Sequence, residues 1–414
     1  RELYEETGAI TFDITPICIY SVTAPDNFDG METFGKLFFS DIHTFEKELH
    51  SEIEKIAIMD ELPINWTYPE IQPKLIEEAR KRVASLINCN SEEIYFTSCG
   101  SESDNTALKG IAYANSNKGK HIITSKIEHP AILHSCQNLE KKGFEVTYLD
   151  VDKDGFVNLQ TLENSIRQDT ILISVMFANN EIGTIEPIQE IAKIAHKNGI
   201  IFHTDAVQAC GNIPIDVQKM DIDMLSLSGH KIYAPKGIGA LYVKKGIEFE
   251  RFMDGGHQEK NKRSGTENVA EIVALGKACQ IAEKNMEQYQ NKLKLLRDYC
   301  LEKMKKSFSN IHINGTMEKR LPGNINISFE GQDATELLYK LDEMGICASG
   351  GSACSSGDNS PSHVLTAIGL PSELAKGAIR FTFGDFNTKD DVDYLIAAIA
   401  HLIPSTAADI IPPA

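Results

Sequence analysis

The chain has 414 residues, of which 42% are hydrophobic, and a formal net charge of −18 at pH 7. This length leaves room for two or three domains with a sizeable core, and the negative charge argues against nucleic acids and membranes as partners. No apolar run has the length of a membrane span and no signal peptide is recognisable. The nine cysteines form neither a disulfide framework nor a zinc motif, which favours the cytoplasm as a reducing compartment.

The first 76 residues differ in character from the rest. They open with RELYEETGA, in which Glu2, Glu5 and Glu6 would share one side of a helix, a weak candidate for binding Mg²⁺. This run resembles the second half of a Nudix box, and ITPICIYSV and TFGKLFFSDI resemble later parts of Nudix hydrolases. The resemblance implies a truncated α+β Nudix-like remnant, which we expect not to hydrolyse nucleotides; the alternative is a solvated acidic helix end.

From Glu93 to Val243 strand patterns alternate with helix patterns, which predicts a mostly parallel sheet flanked by helices. The strand pattern Glu93–Thr97 leads through a Gly/Ser turn to the helix pattern Asp104–Ala114. In this turn Gly100 and Ser101 offer N–H groups and a hydroxyl beside a helix N-terminus, where a phosphate group binds favourably.

Two further polar side chains follow predicted strands. His129 comes after the strand pattern His121–Ser125 and could stack on an aromatic ring or move protons, although a lone histidine is more often structural. Asn180 comes at the end of another strand, after ILISVMFA.

Asp205 follows the apolar run Ile200–His203, which suits a buried parallel strand. An aspartate in this place can pair with a protonated ring nitrogen, and Gln208, one turn later, could reach a ring hydroxyl. The alternative for Asp205 is the N-cap of a helix over Ala206–Ala209.

The run SLSGHKIYAPKG contains Lys231, which follows the strand pattern Asp221–Leu227. Ser228 and His230 place hydroxyl and imidazole donors beside it. A lysine at a strand end with such neighbours is the setting for a Schiff base with pyridoxal 5′-phosphate, whose phosphate those donors would hold. In KRSGTEN, Thr266 could give a further phosphate contact.

A long helical pattern, Glu271–Ser307, leads into a smaller α+β region. There the Gly/Ser-rich loop Ser349–Gly357 gives Cys354 the reach and exposure that a nucleophilic thiolate needs. Arg380, in GAIRFTFGDF, could grip a substrate carboxylate with its guanidinium; the alternative is a surface arginine at a strand edge. Five other cysteines are expected to be buried small hydrophobes: Cys136, Cys210, Cys279, Cys300 and Cys347.

These motifs resemble, in order, those of the NifS/IscS-type cysteine desulfurases, which are fold-type I enzymes of the class V aminotransferase family. The resemblance runs from about Glu78 to about Ile403 through TSCGSESDN, EHPAIL, NNEIGT, HTDAVQ, SGHKIYAPKGIGALYV, RSGTEN, ASGGSACSSG and IRFTFG. It implies an α/β fold, with a mostly parallel sheet in a large domain and a smaller α+β C-terminal domain. It also implies pyridoxal 5′-phosphate as cofactor and L-cysteine as substrate, with a persulfide left on Cys354.

The resemblance assigns each candidate residue a role. It implies that Lys231 is the covalent cofactor ligand and proton shuttle and that Arg380 binds the substrate carboxylate. Around the cofactor ring it implies Asp205 on the ring nitrogen, Gln208 near the ring oxygen, His129 stacked on the ring and Asn180 beside it. The residues that it implies around the cofactor phosphate are Gly100, Ser101, Ser228 and His230. Thr266 would reach the cofactor of a partner subunit, which implies a homodimer. The sulfur would pass to an acceptor protein such as an iron–sulfur scaffold, or toward tRNA thiolation.

These assignments divide the chain into residues 1–76 (Nudix-like), 77–270 (cofactor-binding, without the family's N-terminal arm), 271–405 (small domain with the cysteine loop) and a disordered tail, 406–414. Three alternatives remain open at this point. One is a selenocysteine lyase or an aminotransferase, the latter disfavoured by Cys354. The others are a Nudix-type nucleotide pyrophosphatase and an inactive truncated fusion.

Overall fold

A computed structural model describes residues 9–23, 32–45, 71–350 and 362–403. The chain divides into two compact units, one comprising Arg1–Ala79 with Glu267–Ala274, the other Arg80–Thr266 with Leu275–Ala414. In the first unit β1 (Ala9–Thr23) pairs antiparallel with β2 (Glu32–Phe45). Glu2, Glu5 and Glu6 lie outside the described residues, so the Mg²⁺ site and the Nudix resemblance stay predictions.

The second unit contains a sheet of seven strands in the order β3-β9-β8-β7-β6-β4-β5. The strands are β3 (Ile94–Thr97), β4 (His121–Ser125), β5 (Glu145–Leu149), β6 (Thr170–Ser174), β7 (Ile201–Asp205), β8 (Met224–Ser228) and β9 (Gly239–Val243). Six strands of this sheet run in the same direction and β9 alone runs opposite to them, so the predicted mostly parallel sheet is confirmed. Strands β4, β6, β8 and β9 are buried along their whole length, as expected for strands that are covered on both faces of the sheet.

Helices follow the strands as the alternating pattern predicts. The first five are α1 (Ile71–Ile87), α2 (Gly100–Ala114), α3 (Pro130–Glu140), α4 (Leu159–Asn164) and α5 (Ile188–Lys197). Apolar side chains of α2 and α3 pack with those of the sheet in one buried cluster, which includes Leu108, Ile132 and Leu172.

The predicted long helix is present as α6 (Val269–Ser307), and a smaller α+β region follows it. There β10 (Ile311–Ile313), β11 (Asn324–Phe329) and β12 (Ala378–Thr382) form an antiparallel sheet. Its helices are α7 (Ala334–Glu343), α8 (His363–Ala367), α9 (Ser372–Lys376) and α10 (Lys389–Leu402). Residues of α6, α7 and α10 pack with this sheet around Phe329 and Ile379.

Three local expectations were wrong. Helix α2 begins at Gly100 and not at Asp104, because the side chain of Glu102 accepts the N–H of Ser98 and holds the first turn. No helix follows Asp205: the next residues form turns, so its alternative role as a helix N-cap fails. Cys347 is exposed, since it lies in the loop after α7, whereas the other four cysteines expected to be buried are buried.

Among the described residues, no helix is both long enough and apolar enough to cross a membrane.

Candidate active site

A cavity of about 160 Å³ lies where five strands of the large sheet end. Its wall contains the predicted residues Gly100, Ser101, His129, Asn180, Asp205, Gln208, Ser228, His230, Lys231 and Arg380. Thr266 is exposed and does not line this cavity, and Cys354 lies outside the described residues. Strand ends of a parallel sheet meet at one edge, which is why residues far apart in the chain come together here.

The register of β9 brings the turn that carries Gly100 to the same edge of the sheet as Lys231. Gly239, the first residue of β9, pairs with Thr97 at the end of β3 on one side and with Ser228 at the end of β8 on the other. The turns that carry Gly100 and Lys231 therefore start at the same level of the sheet.

Gly100 is the first residue of α2, so the start of this helix, where main-chain N–H groups have no partner within the helix, lies in the cavity wall. A Cβ atom on Gly100 would lie 2.6 Å from a methyl carbon of Val207, so the turn has no space for a side chain. Nearby, the hydroxyl of Ser228 and Nδ1 of His230 lie 2.9 Å apart in hydrogen-bond contact. Such N–H and O–H groups, with an imidazole, form a site for a phosphate group.

Asp205, the last residue of β7, is buried at 5% exposure. Its Oδ1 accepts the N–H of Val207 at 2.9 Å. Burial raises the pKa of the Asp205 carboxyl to about 6, while the Val207 N–H and the charge of Lys231 oppose the rise. At neutral pH this carboxylate is therefore an anion in a cavity, suited to a protonated ring nitrogen.

His129 is the N-cap of α3, and its Nδ1 accepts the N–H of Ala131 at 3.1 Å. Because Nδ1 is an acceptor, the neutral ring carries its proton on Nε2. Burial, together with the charges of Lys231, His363 and His134, lowers the pKa of His129 to about 4. The ring is therefore neutral at physiological pH and presents a flat face and an Nε2–H group.

Arg380 lies on β12 and joins the small sheet to the cavity. One of its guanidinium nitrogens donates to the main-chain oxygen of Asn180 at 2.7 Å. The backbone of Arg380 also pairs with Ser349, which brings the start of the cysteine loop beside it.

Comparison with known proteins identifies the family. The aminotransferase class-V model matches residues 70–395. Cysteine desulfurase IscS of Dictyoglomus turgidum is 53% identical over 328 residues, which is 79% of this chain and 83% of that protein. Cysteine desulfurase IscS of Clostridium botulinum strain Hall is 51% identical over 340 residues, which is 82% of this chain and 86% of its own.

The chain belongs to the aminotransferase class-V family, among the NifS/IscS-type cysteine desulfurases.

Solved structures agree with this assignment. A NifS-like protein has a TM-score of 0.76 at 35% identity and covers 82% of this chain and 90% of its own. The structure of SspA in complex with cysteine has a TM-score of 0.66 at 37% identity and covers 77% of this chain and 89% of its own. The fold is therefore fold type I, as predicted.

Pyridoxal 5′-phosphate is the cofactor of this family, and the cavity fits it. The turn at Gly100 and the Ser228–His230 pair suit its phosphate, and the buried carboxylate of Asp205 suits its ring nitrogen. Lys231 ends the short turn Gly229–Lys231 directly after β8 and offers the amine.

The cavity wall also contains four residues that the sequence did not single out: Cys99, Asp104, Met176 and Val207. Asp104 had a usable signal, because it lies one helical turn after Gly100 and so shares its side of α2. A helix start placed four residues too late concealed this relation.

A second cavity, of about 300 Å³, shares Lys231 with the first. Tyr233, Tyr289, Lys292 and Asp385 contribute to its wall. Lys231 thus lies at the boundary of two cavities.

Proposed function

We propose that this chain is a pyridoxal 5′-phosphate-dependent cysteine desulfurase that converts L-cysteine to L-alanine and stores the sulfur as a persulfide on Cys354. The observation that carries the proposal is the meeting of Lys231, Asp205 and Arg380 in the wall of one cavity. An amine, an anion for a ring nitrogen and a guanidinium for a carboxylate are the three groups that a cofactor-bound amino acid requires.

When bound, pyridoxal 5′-phosphate supplies an electron sink for the carbanion chemistry at the substrate Cα. Lys231 would hold it covalently and, once free, move a proton to and from the substrate. Asp205 would hold the ring nitrogen, with Gln208 near the ring oxygen. His129 would cover the ring with its neutral imidazole, whose Nδ1 is already engaged by the helix N-terminus.

Gly100, Ser101, Ser228 and His230 would bind the cofactor phosphate through N–H, hydroxyl and imidazole groups. Arg380 would bind the α-carboxylate of L-cysteine, and Asn180, whose main-chain oxygen holds this guanidinium, would lie beside the ring. Substrate orientation would thus depend on a contact between the small sheet and the loop after β6.

Cys354 would receive the sulfur in an exchange that balances: its thiol and L-cysteine give a persulfide and L-alanine. The two described ends of its loop support this role. Ser349 pairs with the backbone of Arg380, and the hydroxyl of Ser362 donates to Glu181, next to Asn180. Ser349 and Cys354 are five Cα-to-Cα steps apart, a distance of at most about 18 Å, so the thiol would be tethered within reach of the cavity.

Incubation of the cofactor-loaded protein with L-cysteine tests the activity, with alanine and protein-bound sulfane sulfur measured together. Lys231→Ala should abolish all turnover and the absorption band of the covalently bound cofactor at about 400 nm, because no amine remains to hold the cofactor. Cys354→Ser should keep that band yet form no persulfide. Alanine release by Lys231→Ala, or labelled sulfur at full yield on another cysteine, would contradict the assignment.

We also propose that the chain acts as a homodimer in which Thr266 serves the partner's cofactor site. Its exposure, and its absence from the cavity of its own chain, support this arrangement. Mixing the Thr266→Ala and Lys231→Ala variants tests it, since mixed dimers would regain one complete site. Without recovered activity in the mixture, Thr266 acts in its own chain or not at all.

The cytoplasm is the proposed compartment, because the described cysteines are all free thiols. An acceptor protein, such as an iron–sulfur scaffold, is the proposed destination of the sulfur. Transfer of labelled sulfur from Cys354 to a purified scaffold would test this step, and retention of the label on the enzyme would speak against it.

A further inference from the structure

The wall of the cofactor cavity contains a second buried carboxyl beside Asp205. Asp104, on the cavity side of α2, is 1% exposed. One carboxylate oxygen of Asp104, one of Asp205 and a ring nitrogen of His129 all lie within 4.8 Å of one another. In water two carboxylates at this separation would both be ionised, but in a buried site their repulsion is weakly screened, so one of them retains a proton.

The stabilisation that the surroundings of Asp104 offer its anion is a hydrogen bond from the hydroxyl of Ser226, which also contacts His203, and burial outweighs it. Oδ1 of Asp104 is buried and has no hydrogen-bond partner. In the part of the chain that the structure describes, no lysine or arginine forms an ion pair with it. The other titratable groups facing it are Asp205, Glu128 and Cys99, and the anionic form of each would repel a negative charge on Asp104.

The nearest base is His203 on β7, whose Nε2 lies 3.9 Å from Oδ1 of Asp104. Both nitrogens of this ring are already in hydrogen-bond contact with the hydroxyls of Ser174 and Ser226. Burial lowers the pKa of His203 to about 3, so its ring is neutral and supplies no positive charge.

The anion of Asp205 is stabilised by a main-chain N–H group and by a nearby positive charge, neither of which acts on Asp104. The N–H of Val207 donates to it at 2.9 Å, and the positive charge of Lys231 favours its anion. The proton of the pair therefore belongs on Asp104. The pKa values agree, since burial and then the charge of Asp205 raise that of Asp104 well above its usual range.

We propose that Asp104 is a positioning residue that carries the proton of the Asp104–Asp205 pair, which keeps Asp205 ionised for the cofactor, and that cofactor binding releases this proton. The inference rests on the proposed function, because it takes Asp205 as the partner of a protonated ring nitrogen. A cation placed beside Asp205 offsets the repulsion between the carboxylates and so favours ionisation of Asp104. The O–H bond of Asp104 breaks, its electron pair stays on the carboxylate, and the proton passes to the buffer.

Calorimetric titration of pyridoxal 5′-phosphate into the cofactor-free full-length protein tests the proposal. Repeating it in buffers of different ionisation enthalpy gives the number of protons released on binding. Between about pH 6 and 9 the wild type should release more protons than Asp104→Asn, whose neutral amide has a similar shape. The dissociation constant of the variant, relative to wild type, should then rise with pH, by at most about tenfold per pH unit.

Glu186→Gln is the matched control. Glu186 is also buried, also has one carboxylate oxygen without a hydrogen-bond partner, and has a pKa raised to about 8 by burial. It does not line the cofactor cavity, so this variant should release the wild-type number of protons. Proton release common to all variants, such as that from Lys231, cancels in the comparison.

Infrared difference spectra of the wild type, with and without cofactor, keep the test decisive if Asp104→Asn fails to fold. Binding should remove the carbonyl stretch of one protonated carboxylic acid. Equal proton release by the wild type and Asp104→Asn, or an unchanged carboxylic-acid band, overturns the proposal while leaving the proposed function intact. Failure of the wild type to bind pyridoxal 5′-phosphate at all would instead overturn the proposed function.

Discussion

His129 has two structural tasks, since it caps α3 through Nδ1 and lines the cofactor cavity with the rest of its ring. The two tasks are separable by substitution, because asparagine can cap a helix but cannot cover an aromatic ring.

We expect His129→Ala to lose both cap and ring, with a fall of about 1 kcal/mol in the free energy of unfolding. His129→Asn should retain most of the stability of the wild type, but it should lose as much catalytic activity as His129→Ala does. Urea unfolding and alanine release, measured on both variants, distinguish the tasks. Equal stability losses would mean that the Nδ1 contact contributes nothing to α3.

Gly100→Ala tests the proposed phosphate-binding role of the turn at Gly100, because its new Cβ would meet a methyl carbon of Val207 at 2.6 Å. Relieving this overlap costs about 1 to 2 kcal/mol, which corresponds to cofactor binding weakened roughly 5- to 30-fold. Adding Val207→Ala removes the obstructing methyl and should restore much of the affinity. A dissociation constant equal to that of wild type for the single variant would show that the turn has spare room.

The place of single residues in the cavity wall was predictable where a short pattern carries them, while their roles stay predictions. Lys231, with a serine and a histidine before it, and Asp205 after an apolar run needed only local sequence. The place of Asp104 in the cavity wall could have been found from its position one turn after Gly100, but its closeness to Asp205 could not, because that depends on packing α2 against β7. This contact joins residues about a hundred positions apart, and no local pattern encodes it.

At the scale of elements, His196 links the end of α5 to the residues directly before β8. Its Nδ1 and Nε2 each lie 2.7 Å from a carboxylate oxygen, of Asp221 and Asp223 respectively. Asp223 in turn accepts the N–H of Phe202 in β7. The histidine therefore links a surface helix to two strands that carry cavity residues.

Burial of His196 lowers its pKa, but Asp223 and Asp221 outweigh burial and raise it overall. A pKa raised on folding stabilises the fold fully below the unfolded value of about 6.5, and this stabilisation disappears as pH rises through the folded value. We expect His196→Gln to lower the free energy of unfolding by about 0.5 to 1 kcal/mol near pH 6, given the partial exposure of the ring. The difference from wild type should shrink by about pH 9.

Denaturant unfolding at several pH values checks this expectation, with His401→Gln, a change at an exposed histidine of α10, as the control. A pH-independent loss in His196→Gln would assign the effect to packing and not to charge.

Element boundaries were harder to predict than element types. The residues GSESD look like a loop by composition, yet they form the first turn of α2. Two contacts explain this: Glu102 binds the N–H of Ser98, and Arg263 donates to the same carboxylate. The second contact comes from a segment far along the chain, so it lies outside any local pattern.

At the scale of the whole molecule, a buried ion pair joins α1 to the turn before the Thr266 segment. Arg80 and Glu259 form two hydrogen bonds of 2.8 Å, and Glu259 also accepts the N–H of Phe96 in β3. Glu259, Lys260 and Asn261 all have positive φ, of 44°, 58° and 65°. Consecutive left-handed residues without glycine are strained, so this ion pair holds the turn against its own backbone preference.

Glu259→Ala should lower the free energy of unfolding by about 3 to 5 kcal/mol, because the burial of the Arg80 charge would no longer be offset by two hydrogen bonds to a carboxylate. Replacing both residues with methionine should cost less than the single change, since the charge of Arg80 is then removed as well. Urea unfolding of the three proteins checks this ordering. A double variant as unstable as Glu259→Ala would mean that the charge itself is not what matters.

The fold class followed from alternating patterns, but the strand order did not. Placing β9 in reverse between β3 and β8 depends on the pairing of Gly239 with both Thr97 and Ser228. Strand patterns carry hydrophobicity and length, whereas strand order depends on contacts across the whole sheet. The strand order is therefore a feature of the fold that the residue patterns alone left open.

Both described ends of the segment that carries Cys354 are fastened at the cavity rim, one through Ser349 and Arg380, the other through Ser362 and Glu181. For tethers of this length the effective concentration is on the order of millimolar. The proposed sulfur transfer to Cys354 would then be an intramolecular, first-order event whose rate is unaffected by enzyme dilution. External thiols well below millimolar concentration would compete poorly, so the first persulfide should form on the protein even in a thiol-rich medium.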